Sequence, residues 1–287
     1  MLKFLNMDVL EGNIGVLTEV HKRLKSDNTL NIIQLSKDAR VQSYLKGKIK
    51  ACEELGVLCV IHTPSNKKEL EILLSCLSKN KTQKIIIQTP IDEDIFGNIH
   101  ELIKLVDREQ DVDGFDFPLI KFREYRTIVE YLQAPNFSPT AKGVLGMMYG
   151  ARREKNLDHS NLRGETITII GTGLTSGLPI ANACMSLGAT VYTAGSSTTD
   201  EDLRAMVGDS TIVVSCCGVA NKINKNMCSL RENAVYINVG MSKVDGKLAG
   251  DINYDEIMAL DNTLYCNKTL GTTGRLTCLF LALNTVL

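Results

Sequence analysis

The stretch ETITIIGTGLTSGLPIANACMSLG, residues 165–188, decides the fold of this 287-residue chain. Its first part is a short apolar run typical of a buried strand, and its second part is typical of a helix. Gly171, Gly173 and Gly177 lie between them, in a GxGxxxG spacing rather than the usual GxGxxG. Glycines let the backbone approach a phosphate closely, and the free N–H groups at a helix start attract its charge. We interpret the segment as a nucleotide-binding turn, with a plain glycine-rich turn as the alternative.

Strand-like and helix-like segments alternate on both sides of this turn. Downstream, apolar runs predict four more strands, at 189–195, 209–218, 233–240 and 263–268. Upstream, three similar runs predict strands at 30–35, 57–63 and 84–90. Helical spacing of apolar residues predicts helices at 10–25, 41–56 and 66–80. Continuous apolar strands separated by helices indicate parallel sheets that are covered on both faces.

The segment PNFSPTAKG, residues 135–143, is rich in helix and strand breakers and separates the two series. We therefore predict an α/β fold of two α/β domains, with limits at 1–138 and 139–269. The second would be a Rossmann-like dinucleotide-binding domain with a parallel sheet. The last segment, 270–287, contains a helix too apolar to stand in water, and we expect it to complete the first domain.

The composition excludes several classes of protein. With 32 basic and 33 acidic residues, 5% aromatic residues and no tryptophan, no nucleic-acid partner is expected. The N-terminus lacks the apolar core of a signal peptide, and no apolar run is long enough to span a membrane. Nine cysteines without a CxxC pair predict free thiols in a reducing compartment and no zinc site. We expect a cytoplasmic protein that binds neither metal nor membrane.

Four polar residues of the first series are candidates for a site. Tyr44 and Lys48 are four residues apart and share a helix face. Gln88 ends an apolar strand, where ligands of parallel sheets bind, and Asp113 lies beside a glycine in a loop. Lys48 is either a desolvated acid/base group or a surface lysine with a buried stem, and spacing alone favours the surface lysine. For Asp113 the alternative is an Asx-turn.

The second series lacks the acid that usually binds a ribose at the end of the strand after the glycine turn. Hydroxyl residues follow that strand instead, at positions 196–199. Ser196 and its neighbours could hydrogen-bond a ribose or a 2′-phosphate. The alternative is that they cap the next helix, and Thr199 before the sequence DEDL fits a cap well.

Several of these segments occur together in one order and at regular spacings. They are YLKGKIKACEELG (44–56), IIIQTP (85–90), DVDGF (111–115), the glycine turn, VVSCCGVANKI (213–223), AVYINVG (234–240) and GKLAGDI (246–252). Together they resemble the bifunctional methylenetetrahydrofolate dehydrogenase/methenyltetrahydrofolate cyclohydrolase family over nearly the whole chain. The resemblance implies two α/β domains with a cleft between them, tetrahydrofolate substrates and a homodimer. The first domain would then bind folate and carry the catalytic residues.

The resemblance also implies a role for each candidate residue. Lys48 would be the catalytic acid/base of the cyclohydrolase step, with Gln88 hydrogen-bonded to it and Tyr44 against the pterin ring. Asp113 would hold the amino edge of the pterin. Further residues, in the loop and helix at the end of the chain, would border the substrate: Gly271 and Thr277. The nicotinamide dinucleotide, NADP or NAD, would be bound by Gly171, Thr172, Gly173, Gly177, Ser196 and Gly218.

The chain departs from the family pattern at four places. Thr172 replaces an arginine that helps bind the 2′-phosphate of NADP, and Asn238 replaces an aspartate. A segment that reads proline-cysteine-threonine-proline in the family is Ser-Pro-Thr-Ala at 138–141, and the glycine-rich loop at 270–275 is reduced. The resemblance thus implies oxidation of methylenetetrahydrofolate and hydrolysis of the methenyl product, without fixing the cofactor. The alternatives are a monofunctional NAD-preferring dehydrogenase and a folate- or nucleotide-binding protein that has lost turnover.

Overall fold

A computed structural model of the chain describes residues 26–37, 39–115, 122, 124–267 and 272–287. The helix predicted at 10–25 and the predicted substrate residue Gly271 lie outside the described residues. The chain divides into two compact units. The described residues of the first unit lie within Ile14–Pro118, Ala134–Pro139 and Thr277–Leu287, and those of the second lie within Leu119–Gln133 and Thr140–Leu276.

The first unit contains a three-stranded parallel sheet. Its strands are β1 (Thr29–Gln34), β2 (Leu58–His62) and β3 (Gln83–Gln88), in the order β2-β1-β3. Its first four helices are α1 (Ala39–Leu55), α2 (Lys67–Leu77), α3 (Glu93–Phe96) and α4 (Ile99–Ile103). The alternation of strands and helices that the sequence predicts is present, and the parallel direction of the strands is confirmed.

Local chemistry fixes the ends of the helices around this sheet. Gly56 has a φ of +70°, the left-handed conformation that glycine adopts easily, and it ends α1. The side chain of Asn66 accepts a hydrogen bond from the backbone N–H of Glu69 at 3.0 Å and so caps α2. The apolar face of α2 then packs on the sheet, where Ile33, Leu70 and Ile85 are fully buried. The packing of α2 therefore fixes the sheet whose strand ends carry the candidate residue Gln88.

The second unit contains a five-stranded parallel sheet and a hairpin. The sheet strands are β4 (Thr166–Ile170), β5 (Thr190–Ala194), β6 (Ile212–Ser215), β7 (Ala234–Asn238) and β10 (Thr263–Cys266). The antiparallel hairpin consists of β8 (Met241–Val244) and β9 (Lys247–Gly250). The described helices of this unit are α5 (Ile128–Gln133), α6 (Pro139–Glu154), α7 (Gly177–Ser186), α8 (Asp200–Asp209) and α9 (Tyr254–Met258). Pro139, the first residue of α6, is assigned to the first unit.

The strand order of the larger sheet, β10-β7-β6-β4-β5, contains a topological switch point. From β4 the chain first adds β5 on one side and then crosses to add β6 on the other. In open α/β sheets, ligands bind outside the carboxyl ends of the strands at such a point. The predicted Rossmann-like parallel sheet is confirmed, and the turns that follow β4 and β6 are its expected ligand site.

The helix α10 (Thr273–Val286) ends the chain, and its residues from Thr277 onward belong to the first unit. The buried amide of Asn284 donates hydrogen bonds to the carbonyls of Val112 and Phe137, both at 2.8 Å. Asn28 donates to the carbonyl of Thr285, also at 2.8 Å. These bonds satisfy carbonyls of three separate segments, so this apolar helix is fixed in one position. Within the described part of the chain, no helix is long and apolar enough to cross a membrane.

Candidate functional site

Lys48 and Gln88 form a buried hydrogen-bonded pair in the first unit. The Nζ of Lys48 donates to Oε1 of Gln88 at 2.7 Å. Only 8% of Lys48 and 6% of Gln88 is exposed. Gln88 is held in turn, because its Nε2 donates to the carbonyl of Thr89 at 2.6 Å. A lysine amine that is buried and oriented by a neutral amide is placed as an acid/base group needs to be, rather than as a surface lysine.

The carboxyl group of Asp113 lies close enough to Lys48 to respond to its charge. Burial raises the pKa of Asp113, and the charge of Lys48 opposes that rise. The Asx-turn in this loop is made by Asp111, whose Oδ1 accepts from the backbone N–H groups of Asp113 and Gly114 at 3.1 and 3.0 Å. Among the described residues, none donates a hydrogen bond to the Asp113 carboxylate, so both of its oxygens are available to a ligand.

Gly114 lets the loop that carries Asp113 lie against the segment 136–138. Its φ is +73°, and a Cβ at this position would lie 2.6 Å from the backbone nitrogen of Ser138 and 2.7 Å from the carbonyl oxygen of Asn136. No other residue fits there without a shift of the backbone. The two segments that carry Asp113 and Ser138 therefore meet directly.

Three cysteines lie near enough to Lys48 to respond to its charge: Cys52 is one turn after it in α1, and sequence spacing does not reveal the other two, Cys59 and Cys278. Cys52 and Cys59 share a side-chain hydrogen bond that raises the pKa of Cys52 and lowers that of Cys59. The Sγ of Cys278, in α10, lies 3.2 Å from the position of a Cβ on Gly47. Burial raises the pKa of Cys278, while the charge of Lys48 lowers it. Lys48 is thus bordered by weakly polar thiols from three elements.

Two further predicted residues of the first unit lie in helices. Tyr44 lies one turn before Lys48 in α1, and its side chain is outside the described residues. Thr277 is partly buried in α10. The structure therefore brings Lys48, Gln88 and Asp113 together, and it places Tyr44 and Thr277 on helices of the same unit.

The glycine turn of the second unit is too tight for other residues. A Cβ on Gly177 would lie 1.7 Å from the carbonyl oxygen of Gly171, and one on Gly171 would lie 2.9 Å from the carbonyl of Cys216. Gly171 also has a φ of +89°. By contrast, no atom lies within 4 Å of a Cβ on Gly173, and Thr172 and Gly173 are exposed. The turn therefore presents bare backbone and the start of α7 to an open space, which fits a dinucleotide phosphate.

Two residues of the hydroxyl segment after β5, Thr198 and Thr199, hydrogen-bond to the backbone, whereas Ser196 is exposed. The Oγ1 of Thr199 accepts from the N–H of Asp202 at 3.1 Å and caps α8, and the Oγ1 of Thr198 accepts from the N–H of Gly195 at 3.0 Å. The alternative interpretation of the sequence therefore holds for Thr199. Ser196 is exposed and has no such cap, so it stays a candidate for the ribose.

A basic group near this segment is already paired. Lys222, in the turn region after β6, donates to Asp200 Oδ1 at 2.7 Å. Asp200 begins α8, whose first turn also contains Glu201 and Asp202. The start of α8 therefore carries three acidic side chains, and two cations, Lys222 and Arg204, lower the pKa of Asp200.

Two of the departures, Asn238 and the loop at 270–275, take part in one buried network with Asn267 and Ile252. The backbone N–H of Asn238 donates to Oδ1 of Asn267 at 2.6 Å, and Oγ1 of Thr273 donates to the carbonyl of Asn238 at 2.7 Å. The Oδ1 of Asn238 accepts from the N–H of Ile252 at 3.1 Å. The backbone of Asn238 thus contacts Asn267 and Thr273, and its side-chain amide contacts Ile252 and the carbonyl of Gly240, so the asparagine that replaces aspartate leaves its own amide hydrogen-bonded.

These features define two kinds of site in an α/β protein: a lysine–amide pair beside a carboxylate, and a dinucleotide-binding turn at a switch point. Among the described residues, no group of three His, Cys, Asp or Glu side chains could hold a metal ion. The family model for the tetrahydrofolate dehydrogenase/cyclohydrolase NAD(P)-binding domain matches residues 138–287, and the model for the catalytic domain of the same family matches residues 11–113. The chain belongs to the tetrahydrofolate dehydrogenase/cyclohydrolase family.

Known proteins of this family match along almost their full length. The bifunctional protein FolD of Exiguobacterium sibiricum is 29% identical over 278 residues, which cover 94% of this chain and 92% of that protein. The FolD protein of Campylobacter concisus is 26% identical over 284 residues, with coverage of 97% and 93%. The crystal structure of the bifunctional FolD methylenetetrahydrofolate dehydrogenase/cyclohydrolase of Campylobacter jejuni is similar with a TM-score of 0.82 and 25% identity, covering 100% of this chain and 98% of that one.

Proposed function

We propose that this protein oxidises 5,10-methylenetetrahydrofolate to 5,10-methenyltetrahydrofolate with NAD(P)+ and hydrolyses the product to 10-formyltetrahydrofolate. The observation that carries the proposal is the buried Lys48–Gln88 pair beside the free carboxylate of Asp113. Membership of the family and the names of the FolD relatives support the same reaction pair. The substrate domain would comprise 1–138 with 270–287, and the dinucleotide domain 139–269.

For the hydrolysis, Lys48 is the proton acceptor. The methenyl group is a cation, and water attacks its carbon. In its unprotonated form, the Nζ of Lys48 takes the proton that the water gives up, while Gln88 Oε1 accepts one of its N–H bonds and directs the lone pair. The bond from this carbon to N5 then breaks, N5 takes up the proton from Lys48, and the second O–H proton leaves as the formyl C=O forms on N10. Asp113 would accept hydrogen bonds from the amino edge of the pterin, and Tyr44 would be the residue against its ring. Gly271 and Thr277 would border the substrate.

For the oxidation, the chain supplies binding and orientation. When bound, the nicotinamide ring accepts the hydride from the methylene carbon, and this chemistry is the cofactor's own. Gly171, Gly173 and Gly177 hold the pyrophosphate through backbone N–H groups and the start of α7. Thr172 and Gly218, which follows β6, would also border the dinucleotide, and Ser196 would lie near the adenosine ribose. The close approach of Gly177 to Gly171 and the open space at Gly173 support the placement of the pyrophosphate at this turn.

The cofactor preference is proposed to be NAD, or at most weakly NADP. Thr172 carries no charge, Ser196 is a neutral hydroxyl, and Lys222 is already paired with Asp200. A 2′-phosphate would therefore find no free cation among these residues. This observation also favours the second candidate function, a monofunctional NAD-preferring dehydrogenase.

We further propose a homodimer in the cytoplasm that acts on small folates and binds neither nucleic acid nor membrane. The nine cysteines are all free, as expected in a reducing compartment. The balanced charge of −1 supports the absence of a nucleic-acid partner.

An absorbance assay with methylenetetrahydrofolate and each dinucleotide tests the proposal. Formation of the reduced dinucleotide reports the oxidation, and decay of the methenyl absorbance above the spontaneous rate reports the hydrolysis. Both signals are expected with the wild-type protein. Reduction with persistent methenyl product would indicate the monofunctional enzyme, and binding of ligands without either signal would indicate lost turnover.

A further inference from the structure

Asp251 is a buried carboxylate whose position none of the roles above explains. It follows β9 and precedes α9, and it is 0% exposed. Aspartate is almost never fully buried unless it is paired. Among the described residues, no cation lies within ion-pair distance of it. The Asp251 carboxylate therefore either stabilises the fold around it or acts on the ligand site at the turn after β6.

One oxygen of Asp251 gathers the turn that follows β6. Oδ2 accepts from Ser215 Oγ at 2.9 Å, from the N–H of Cys217 at 2.8 Å and from the N–H of Gly218 at 3.1 Å. The thiol of Cys217 also lies 3.4 Å from it. A Cβ on Gly240 would lie only 2.1 Å from this oxygen, so the end of β7 closes over the carboxylate. One side chain therefore links Ser215, Cys217 and Gly218, in a turn that the backbone bond from Cys216 to the carbonyl of Ile170 also holds.

The other oxygen of Asp251 is not used. Oδ1 is buried and has no hydrogen-bond partner among the residues that the structure describes. Buried polar atoms are usually satisfied, and an unsatisfied carboxylate oxygen is costly. Stability alone does not account for a charge held in this way.

The hydrogen bonds also orient two peptide groups. In a trans peptide the N–H and the C=O point in opposite directions. Because the N–H groups of Cys217 and Gly218 point to Asp251, the carbonyls of Cys216 and Cys217 point away from it. The carbonyl of Cys216 lies on the side of Gly171, since a Cβ there would be 2.9 Å from its oxygen. The turn after β6 thus presents the negative ends of its peptide dipoles at the switch point.

We propose that Asp251 is a positioning residue that aligns the turn after β6 and favours the oxidised, cationic form of the nicotinamide over the reduced, neutral form. The proposal rests on the proposed function, because it requires a nicotinamide dinucleotide at the switch point. The ring loses its positive charge when it receives the hydride. A fixed carboxylate behind aligned carbonyls stabilises the cation, so the oxidised dinucleotide binds more tightly relative to the reduced one.

The test measures binding rather than turnover. Dissociation constants for NAD+ and NADH are determined by calorimetry and by NADH fluorescence, for the wild type, Asp251→Asn and Asp245→Asn. Asp245 is an exposed acid in the β8–β9 turn, so its variant removes the same charge from the neighbouring hairpin. Asp251→Asn should shift the ratio of the two constants toward NADH by about tenfold. Asp245→Asn should leave the ratio unchanged.

The possible outcomes separate this proposal from the proposed function. An unchanged ratio in a folded Asp251→Asn protein overturns the role of Asp251, and so does an equal shift in Asp245→Asn. If Asp251→Asn does not fold, the wild type decides, because it should bind NAD+ more tightly than NADH; tighter binding of NADH refutes the proposal. A wild type that binds none of NAD+, NADH, NADP+ and NADPH refutes the proposed function and this role with it.

Discussion

Replacing Asp113 by asparagine should change protein stability and folate binding in opposite directions. Burial raises the pKa of this carboxyl, and the charge of Lys48 offsets only part of the rise. A carboxyl with a raised pKa in the folded state destabilises the protein as the pH rises from the unfolded pKa through the folded one, and the loss is complete above it. Asparagine has nearly the same volume and no charge. The free energy of unfolding at neutral pH should therefore increase.

The same substitution should weaken folate binding because the ligand loses a charged acceptor. A hydrogen bond to a charged group contributes about 1.5–3 kcal/mol, or roughly ten- to a hundredfold in affinity. The full effect is expected, because no described residue donates to the Asp113 carboxylate in place of the ligand. Asp113→Asn should thus raise the free energy of unfolding and lower the affinity for folate.

Denaturant unfolding between about pH 4 and pH 8 and calorimetry with tetrahydrofolate measure the two effects. The exposed acid Asp94, in α3 of the same unit, provides the control variant Asp94→Asn. The wild type should lose stability relative to Asp113→Asn as the pH rises through this range, and Asp94→Asn should follow the wild type. An Asp113→Asn protein that is less stable than the wild type at pH 7, or that binds tetrahydrofolate normally, would show the argument to be wrong.

Three further predictions, two of them about substitutions, test the remaining parts of the site. Lys48→Met should reduce the hydrolysis of methenyltetrahydrofolate, followed by absorbance, to the spontaneous rate, whereas Lys46→Met, at an exposed position of the same helix, should be nearly silent. The ratio of kcat/KM for NADP+ to that for NAD+ should stay below about one hundred, since a lost charged contact accounts for roughly ten- to a hundredfold; a larger ratio contradicts the proposed preference. Gly177→Ala should lower the Tm sharply, because its Cβ would overlap the carbonyl of Gly171, while Gly195→Ala, which meets open space, should leave it within a few degrees.

Features that depend on neighbouring residues could be predicted from the sequence. The glycine turn is one, because strand, turn and helix follow one another within 165–188. The Thr199 cap is another, because its acceptor and donor are three residues apart. The β8–β9 hairpin was not predicted, although Asp245 and Gly246 form the Asp-Gly pair that is typical of such turns.

Features that depend on distant residues could not be predicted from the residues alone. The partners of Asp251 lie 33 to 36 residues away, so no spacing in the sequence connects them. The switch point needs the strand order, which local patterns do not contain. The burial of Lys48 is a further case, since spacing alone favoured a surface lysine and the pairing with Gln88 spans 40 residues. Only the resemblance to a known family indicated that pair in advance.

The position of helix α10 has a consequence for the order in which the two units fold during translation. Residues Thr140–Leu276 form a continuous stretch of the second unit, and they can fold as soon as they emerge. The first unit is synthesised earlier, yet the carbonyls of Val112 and Phe137 must wait for the amide of Asn284. The first unit is therefore the first to be synthesised and the last to be completed.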